Sequence, residues 1–157
     1  MEQEILIHRC ETIEDFEIAK SITKDYMLWL GMNLQFQNTD KEFTIFNSMY
    51  GNPHGAYIYA SIGKEIIGGV GIRMLSPAIC EMKRLYVYEH YRGKGIASLL
   101  CREIISISGS LAYTKMRLDT VSRLEHANAL YEKIGFKDIP KYYENPDLTV
   151  RYMEMDI

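Results

Sequence analysis

The sequence predicts a mixed α/β (α+β) fold, built on a central, largely antiparallel twisted sheet that about four helices flank. Two observations indicate it. Two strand patterns joined by a short turn occupy the middle of the chain, and strands alternate with amphipathic helices after them. No internal repeat, low-complexity tract or linker divides the chain, so residues 1–157 are expected to form one domain.

The first half of the chain is predicted to hold a strand, two helices and a hairpin. The predicted segments are 5–9 (strand), 12 to about 30 (helix), 39 or 40 to about 49 (helix), 56–61 (strand) and 65–75 (strand). Thr12 can cap the first helix because Asp15 follows three residues later, and Gly31 can end it. The glycines of the second hairpin strand predict a bulge or close packing.

The second half is predicted to alternate strands with two helices. The predicted segments are 78–88 (strand), about 96 to 107 (helix), 115–121 (strand), 124–134 (helix), 136–139 (strand) and 148–157 (strand). The apolar residues of the first of these helices fall on one face, as in a helix that packs on a sheet. Gly135 can end the second.

Composition restricts the partners of the chain. The formal net charge is −3, whereas a protein that binds nucleic acid through its phosphates normally has a basic excess, so nucleic acid is not an expected partner. Three widely spaced cysteines without a CxxC pattern indicate reduced thiols. No run of ~20 apolar residues occurs and the first residues do not resemble a signal peptide, so a cytoplasmic protein without a membrane partner is expected.

Residues 92–97, RGKGIA, stand between a predicted strand and a predicted helix. Backbone N–H groups at a helix start favour an anion, the two glycines permit unusual φ values, and Arg92 and Lys94 add positive charge. On these local features, a phosphate site and an ordinary solvated helix start fit equally well. The P-loop pattern fails because Gly95 follows Lys94, and the Rossmann pattern has Ser98 in place of its third glycine.

A third pattern fits this turn. Arg92-x-x-Gly95-x-Ala97 resembles the acetyl-CoA signature [QR]-x-x-G-x-[GA] of the GNAT-type N-acetyltransferase superfamily. The segments EMKRLYV before the turn and LYEKIGF in the last helix resemble that family too, as does the order of elements over the whole chain. Together with IPKYYENP (139–146), the pattern resembles one bacterial subgroup. The resemblance implies a GNAT-like acyl-CoA N-acyltransferase fold.

The resemblance also implies that acetyl-CoA binds at the turn and along the preceding strand. Its pyrophosphate would lie on backbone N–H groups of the turn, and its pantetheine arm against the strand where it diverges from residues 116–120. The Val87 N–H would polarise the carbonyl of the thioester. The implied cofactor-binding residues are Leu85, Tyr86, Val87, Arg92, Gly93, Lys94, Gly95, Ile96 and Ala97.

Two side chains are implied to carry the chemistry. Tyr131 matches the family tyrosine that protonates the leaving thiolate, although its apolar helical neighbours also fit a core aromatic. Glu81 is the candidate base, directly or through water, but fits equally well a structural carboxylate paired with Lys83. Leu124 stands where many relatives carry an asparagine that contacts the CoA arm, and Asn128 is not expected to replace that contact.

Other residues have weaker implied roles. The loop at 142–145, YYEN, hints at the acceptor pocket, with a structural role as the alternative. Trp29 and Phe36 would face the same side in the family layout, or else belong to the core. No paired metal-ligand spacing occurs, so no metal site is expected, and the isolated cysteines fit buried apolar residues better than nucleophiles.

The sequence therefore predicts an N-acetyltransferase that moves an acetyl group from acetyl-CoA to a primary amine of a small molecule or peptide, by direct attack in a ternary complex. Such a transfer needs a neutral amine, a donor to the carbonyl oxygen and an acid for the thiolate. A non-catalytic CoA-binding or regulatory module of the same fold is the alternative, and a nucleotide-dependent oxidoreductase is a second one. A homodimer is left open.

Overall fold

The computed structural model describes residues 3–31 and 39–157, so Phe36 lies outside the described part. The described strands are β1 Ile5–Arg9, β2 Ala56–Ile62, β3 Glu65–Ser76, β4 Ile79–Val87, β5 Lys115–Val121, β6 Lys137–Ile139 and β7 Val150–Asp156. The described helices are α1 Ile13–Leu30, α2 Thr39–Thr44, α3 Phe46–Met49, α4 Ile96–Ser110 and α5 Glu125–Ile134, with a short 3₁₀ helix at Glu89–Tyr91. None of these described helices combines the length and apolarity that a bilayer crossing requires.

The strands form one sheet in the order β1-β2-β3-β4-β5-β7-β6. Neighbouring strands run antiparallel, except that β4 and β5 run parallel and are connected through α4. The sheet therefore confirms the predicted α/β (α+β) class with a mixed, largely antiparallel sheet.

Local sequence signals set the ends of α1 as predicted. The Asp15 N–H donates to Thr12 Oγ1 at 3.1 Å, and the Thr12 N–H donates to Asp15 Oδ2 at 3.1 Å, which is a complete capping box. Gly31 ends the helix in the left-handed conformation with φ of 74°.

The helix predicted over 39–49 is divided in two, which corrects the prediction. Ile45, with φ −106° and ψ 13°, leaves the helical range between α2 and α3. The two short helices are attached to different partners: Glu42 of α2 pairs with Arg84 of β4, whereas Phe46 of α3 is buried among aromatic rings. These tertiary contacts, rather than helix propensity, decide the path of the segment.

Two glycines of β3 lie where aromatic rings press against the sheet. A Cβ on Gly71 would lie 2.7 Å from the ring of Tyr50, and one on Gly69 would lie 2.4 Å from Tyr57 Oη. The register of β3 against β4 shifts between Gly69 and Gly71, and Arg84 of β4 has a φ of 63°. The glycines therefore permit close packing beside a bulge, as the sequence predicts.

The strands β4 and β5 separate after a short paired stretch. Their pairing extends only over 79–81 and 115–117, which leaves the ends of the two strands apart. On one face of these strands, Met82 and Leu118 belong to the hydrophobic core that packs against α4. Alternation along the strands puts charged side chains on the opposite face. We call this the polar face, and it comprises Glu81, Lys83, Arg117 and Asp119.

Candidate active site

A cavity of about 800 Å³ lies where β4 and β5 diverge, and we call it the large cavity. Its size falls in the range of small-molecule sites. All predicted cofactor-binding residues except Lys94 line it. Its walls include Tyr26, Trp29, Leu85, Tyr86, Val87, Arg92, Gly93, Gly95, Ile96, Ala97, Asp119 and Tyr131.

The RGKGIA turn forms one end of the large cavity. Gly93 and Gly95 have φ values of 77° and 81°, a region that L side chains rarely adopt. Gly95 is the N-cap of α4 and, having no side chain, leaves the first N–H groups of the helix without a side-chain cap. Unsatisfied N–H groups at the start of a fifteen-residue helix attract an anion.

The two cations of the turn have different surroundings. Arg92 Nε donates to the Val87 carbonyl at 2.8 Å, and its guanidinium lies 4.6 Å from the centre of the Trp29 ring. Lys94 Nζ instead lies over the Tyr91 ring at 5.5 Å and is outside the cavity wall. Arg92 is therefore the turn cation that faces the large cavity. The predicted contact of Lys94 was expected through its backbone N–H, and it stays a prediction.

Tyr131 lies in the wall of the large cavity and is 8% exposed. Its ring packs edge-on against Phe136 with ring centres 5.8 Å apart, so it is both a core aromatic and a cavity residue. Burial, and then the nearby Cys101, raise the pKa of its phenol well above the usual value of 10.0. The hydroxyl is thus protonated at neutral pH, and the raised pKa makes it a weaker acid than an exposed tyrosine. Its catalytic role stays a prediction.

Glu81 is 1% exposed and lies outside the walls of the large cavity. Its carboxylate accepts from Arg73 Nε at 2.8 Å and Tyr142 Oη at 2.6 Å, and lies 3.5 Å from Lys83 Nζ. Burial raises the pKa of Glu81. The positive charges of Lys83 and Arg73 lower it by a larger amount, so the pKa lies below its usual value. The predicted pairing with Lys83 is present, and the role of Glu81 as base stays a prediction.

Asn128 joins α5 to β5, and Leu124 lies in the cavity wall. Asn128 Oδ1 accepts from Thr120 Oγ1 at 2.7 Å, and its Nδ2 donates to the Val121 carbonyl at 3.0 Å. These contacts occupy the amide in holding the fold together, in line with the expectation that Asn128 does not replace the family asparagine. Leu124 offers only an apolar surface there.

The loop at 142–145 is attached to the polar face by its tyrosines. Tyr142 Oη donates to Glu81, and Tyr143 Oη donates to Asp119 Oδ2 at 2.7 Å. The rings of Tyr142, Tyr143 and Tyr152 contact one another edge to face, with centres 5.2 to 5.5 Å apart. This loop is therefore a structural cover of the polar face, whether or not it also contacts an acceptor.

A second cavity of about 250 Å³, the small cavity, borders the large one. It lies between the end of α1, the end of β5 and the loop at 145–147. The residues that line both cavities are Tyr26, Arg84, Asp119, Thr120, Arg123 and Leu124. Asp119 and Arg123 were not predicted as site residues from the sequence. The sequence feature that could have indicated them is their position at the carboxyl end of a predicted strand, where ligands bind in many α/β folds.

The cysteines are buried, as predicted. Burial raises the pKa of Cys80 to about 11, and the pKa values of Cys10 and Cys101 to about 12. Such thiols are poor nucleophiles because they remain protonated. Within residues 3–31 and 39–157, no three His, Cys, Asp or Glu side chains group together as a metal site.

Comparisons with known proteins bear on the family and fold of the chain. The profile of the acetyltransferase (GNAT) family matches residues 20–136. An uncharacterized N-acetyltransferase of Schizosaccharomyces pombe is 38% identical over 146 residues, which cover 92% of this chain and 90% of that protein.

Two solved structures share the fold at low sequence identity. An acetyltransferase from Streptococcus agalactiae superposes with a TM-score of 0.78, 18% identity and 98% coverage of both chains. The PaiA N-acetyltransferase of Thermoplasma acidophilum, solved in complex with coenzyme A, superposes with a TM-score of 0.69 and 20% identity, covering 98% of this chain and 99% of that one. The fold is thus the GNAT acyl-CoA N-acyltransferase fold, and the chain belongs to the acetyltransferase (GNAT) family.

Proposed function

We propose that this chain is an acetyl-CoA-dependent N-acetyltransferase that acetylates the primary amine of a small molecule or peptide by direct attack in a ternary complex. The observation that carries the proposal is the large cavity. It extends from the uncapped start of α4 to the protonated Tyr131 and borders a second, more polar space. Family membership already implies an acyl-CoA N-acyltransferase.

The donor is proposed to bind along β4 and the RGKGIA turn. Pyrophosphate would be held by N–H groups from Arg92 to Ala97, and the pantetheine arm would follow Leu85, Tyr86 and Val87 into the cavity. In support of this, the gap between β4 and β5 leaves room beside these residues, and the turn has the left-handed glycines that expose its N–H groups.

The transfer itself needs no covalent enzyme intermediate. The amine nitrogen attacks the thioester carbonyl carbon, so a C–N bond forms and the C–S bond breaks. The amine gives a proton to a base, and Tyr131 gives its phenolic proton to the CoA thiolate. The Val87 N–H is proposed to donate to the carbonyl oxygen as it gains charge.

Two carboxylates compete for the role of base. Glu81 is proposed to act directly or through water, but three neighbours already occupy its carboxylate. Asp119 is a competing candidate because it lines both cavities and forms no ion pair within the described part of the chain. Glu81→Gln and Asp119→Asn separate them, since only the variant that lacks the base loses the acidic limb of the pH–rate profile.

The remaining parts of the proposal concern the extent of the domain, its cellular location and its subgroup. We include a single domain over 1–157, a cytoplasmic location and membership of the bacterial subgroup that shares EMKRLYV and IPKYYENP. A single continuous sheet supports the first. The most direct check of the subgroup is whether a bacterial genome encodes a chain with both segments at this spacing.

A thiol-release assay with acetyl-CoA and a panel of amines, polyamines, amino acids and peptides tests the proposed activity. We expect acceptor-dependent release of CoA and a product heavier by one acetyl group. Donor binding is measured separately: acetyl-CoA at ~100 times its dissociation constant should add about 2.7 kcal/mol to stability.

The two measurements distinguish the rival functions. Stabilisation by CoA without turnover on any amine would favour the non-catalytic module. Stabilisation by NAD and none by CoA would contradict the proposal altogether.

A further inference from the structure

We infer that the acceptor is a small molecule with a carboxylate close to its amine, and that Arg123 binds this carboxylate in the small cavity. The inference rests on the proposed function for what happens to the amine. Free α-amino acids are the chemical class that meets this description.

The size of the small cavity limits the acceptor. Its volume is about 250 Å³. A molecule of amino-acid size fits there while its amine reaches the wall shared with the large cavity.

The charges of the small cavity match a zwitterion. Of its charged lining residues, Arg84 is paired with Glu42 at 2.9 Å, and Asp147 Oδ1 accepts from Thr149 N and Oγ1 at 2.8 and 2.6 Å. Asp119 and Arg123 form no ion pair with the residues of 3–31 and 39–157. Hydrogen bonds from Thr149, and also the charge of Arg123, lower the pKa of Asp147, so this carboxylate is charged as well and acts on Arg123. Asp119 and Arg123 are the negative and the positive lining group without an ion pair to the described residues, and a ligand of both charges can satisfy them.

Arg123 is held in place and forms no ion pair with the described residues, although the charge of Asp147 acts on it. Its Nη2 donates to the Leu30 carbonyl at the end of α1, where a helix terminus favours a cation. A guanidinium has five N–H donors, so this contact leaves others for a carboxylate. An arginine fork binds a carboxylate through two parallel hydrogen bonds, which fixes the orientation of the bound molecule.

The carboxylate of Asp119 is placed to pair with the ammonium group of the acceptor. Tyr143 Oη donates to Oδ2 of Asp119 and thereby fixes the carboxylate. Asp119 and Arg123 both lie in the wall shared by the two cavities. An acceptor bound through both of them presents its amine to the side where Tyr131 lies.

The test uses matched pairs of ligands on the full chain saturated with CoA. Each pair is an amino acid and the amine that lacks only its carboxylate: alanine and ethylamine, serine and ethanolamine, leucine and isoamylamine. Dissociation constants are measured by calorimetry, and kcat/KM by thiol release with acetyl-CoA. The variants are Arg123→Gln and Arg123→Lys, with Arg102→Gln as the control, because Arg102 is exposed on α4 and lines neither cavity.

We expect at least one amino acid to bind about tenfold or more tightly than its amine, as a charge-assisted hydrogen bond predicts. Arg123→Gln should reduce this ratio to about one, Arg123→Lys should leave an intermediate ratio because the fork is lost, and Arg102→Gln should not change it. Equal binding within every pair, no binding by any pair, or an equal weakening of both members in Arg123→Gln would each overturn the inference.

The proposed function and this inference fail separately. Selective binding of an amino acid without any acetylation would contradict the proposed function and leave the inference intact. Acetylation of amines regardless of a carboxylate would support the function and overturn the inference.

Discussion

The two sides of the gap between β4 and β5 are built in different ways. The donor side is local in sequence: the turn at 92–97 and the last residues of β4 supply it, largely through backbone and apolar groups. The polar side, which comprises the polar face and the adjoining Arg84 of β4, is assembled from distant segments. Tyr142 reaches Glu81 across 61 residues, and Arg84 reaches Glu42 across 42.

This difference teaches which part of the molecule can change independently. A binding site made of backbone N–H groups, such as the turn at 92–97, depends on backbone conformation. It therefore tolerates changes of side chain as long as φ is preserved. A network of buried charges depends on every partner, because removing one leaves another unpaired. Substitutions on the two sides should therefore fail in different ways.

The largest effect is expected at Tyr131, where the two sides meet. Tyr131→Phe should lower kcat by about 10²–10⁴-fold, the range of a general acid, with little change in the dissociation constant of CoA. Tyr113→Phe is the matched control, because this buried tyrosine lies outside both cavities and donates to the His54 carbonyl. Equal kcat values for the two variants would remove the acid role from Tyr131.

The second effect concerns stability on the polar side. Glu42→Gln should cost about 3–5 kcal/mol of unfolding free energy, because the nearly buried Arg84 keeps its charge without its carboxylate. Urea unfolding measures it, and Glu17→Gln is the control, since that exposed glutamate pairs, among the described residues, only with Lys20. A loss below about 1 kcal/mol would mean that water or another group compensates Arg84.

The third effect concerns the donor turn. Gly95→Ala should cost about 1–2 kcal/mol because its φ of 81° is strained for a residue with a Cβ. Nothing lies within 4 Å of the added Cβ, so the penalty is conformational rather than steric. CoA affinity should fall with it, as calorimetry can measure. An unchanged affinity would show that the left-handed turn is not needed for the donor.

Acidification gives a smaller, distributed effect. Burial raises the pKa of Glu42, but the charge of Arg84 lowers it by a larger amount, so the pKa lies below its usual value of 4.5. The pKa of Glu81 is lowered from 4.5 as well. The unfolded chain then binds more protons than the native one, so this stability is present above about pH 4.5 and is lost as the pH falls through the lowered native values. Urea unfolding between about pH 5 and pH 3 should show a shallower loss for Glu81→Gln than for the wild type.

The smallest effect is expected at Lys94. Lys94→Ala removes a charge that lies over Tyr91 and outside the cavity wall, while the backbone of the turn is preserved. CoA affinity should change less than about threefold, as for an exposed charge. A loss of tenfold or more would make Lys94 a direct ligand of the donor and would break the contrast between backbone and side-chain recognition.

The sequence predicted the parts of the molecule that depend on local chemistry. The capping box at Thr12, the glycine stops and the RGKGIA turn each need only a few adjacent residues. The break at Ile45, the partners of Glu81 and the exposure of Asp119 to both cavities depend on strand register and on a loop that returns to the sheet. Register is set by packing over the whole sheet, so the polar face could not be read from any single segment.

Arg92 and Trp29 give the protein an optical property. Trp29 is the only tryptophan of the chain, it is 47% exposed at the rim of the large cavity, and the guanidinium of Arg92 covers its ring. A ligand that moves the Arg92 guanidinium would change the surroundings of this indole. We therefore expect a titration with CoA to change the tryptophan fluorescence of the unlabelled chain.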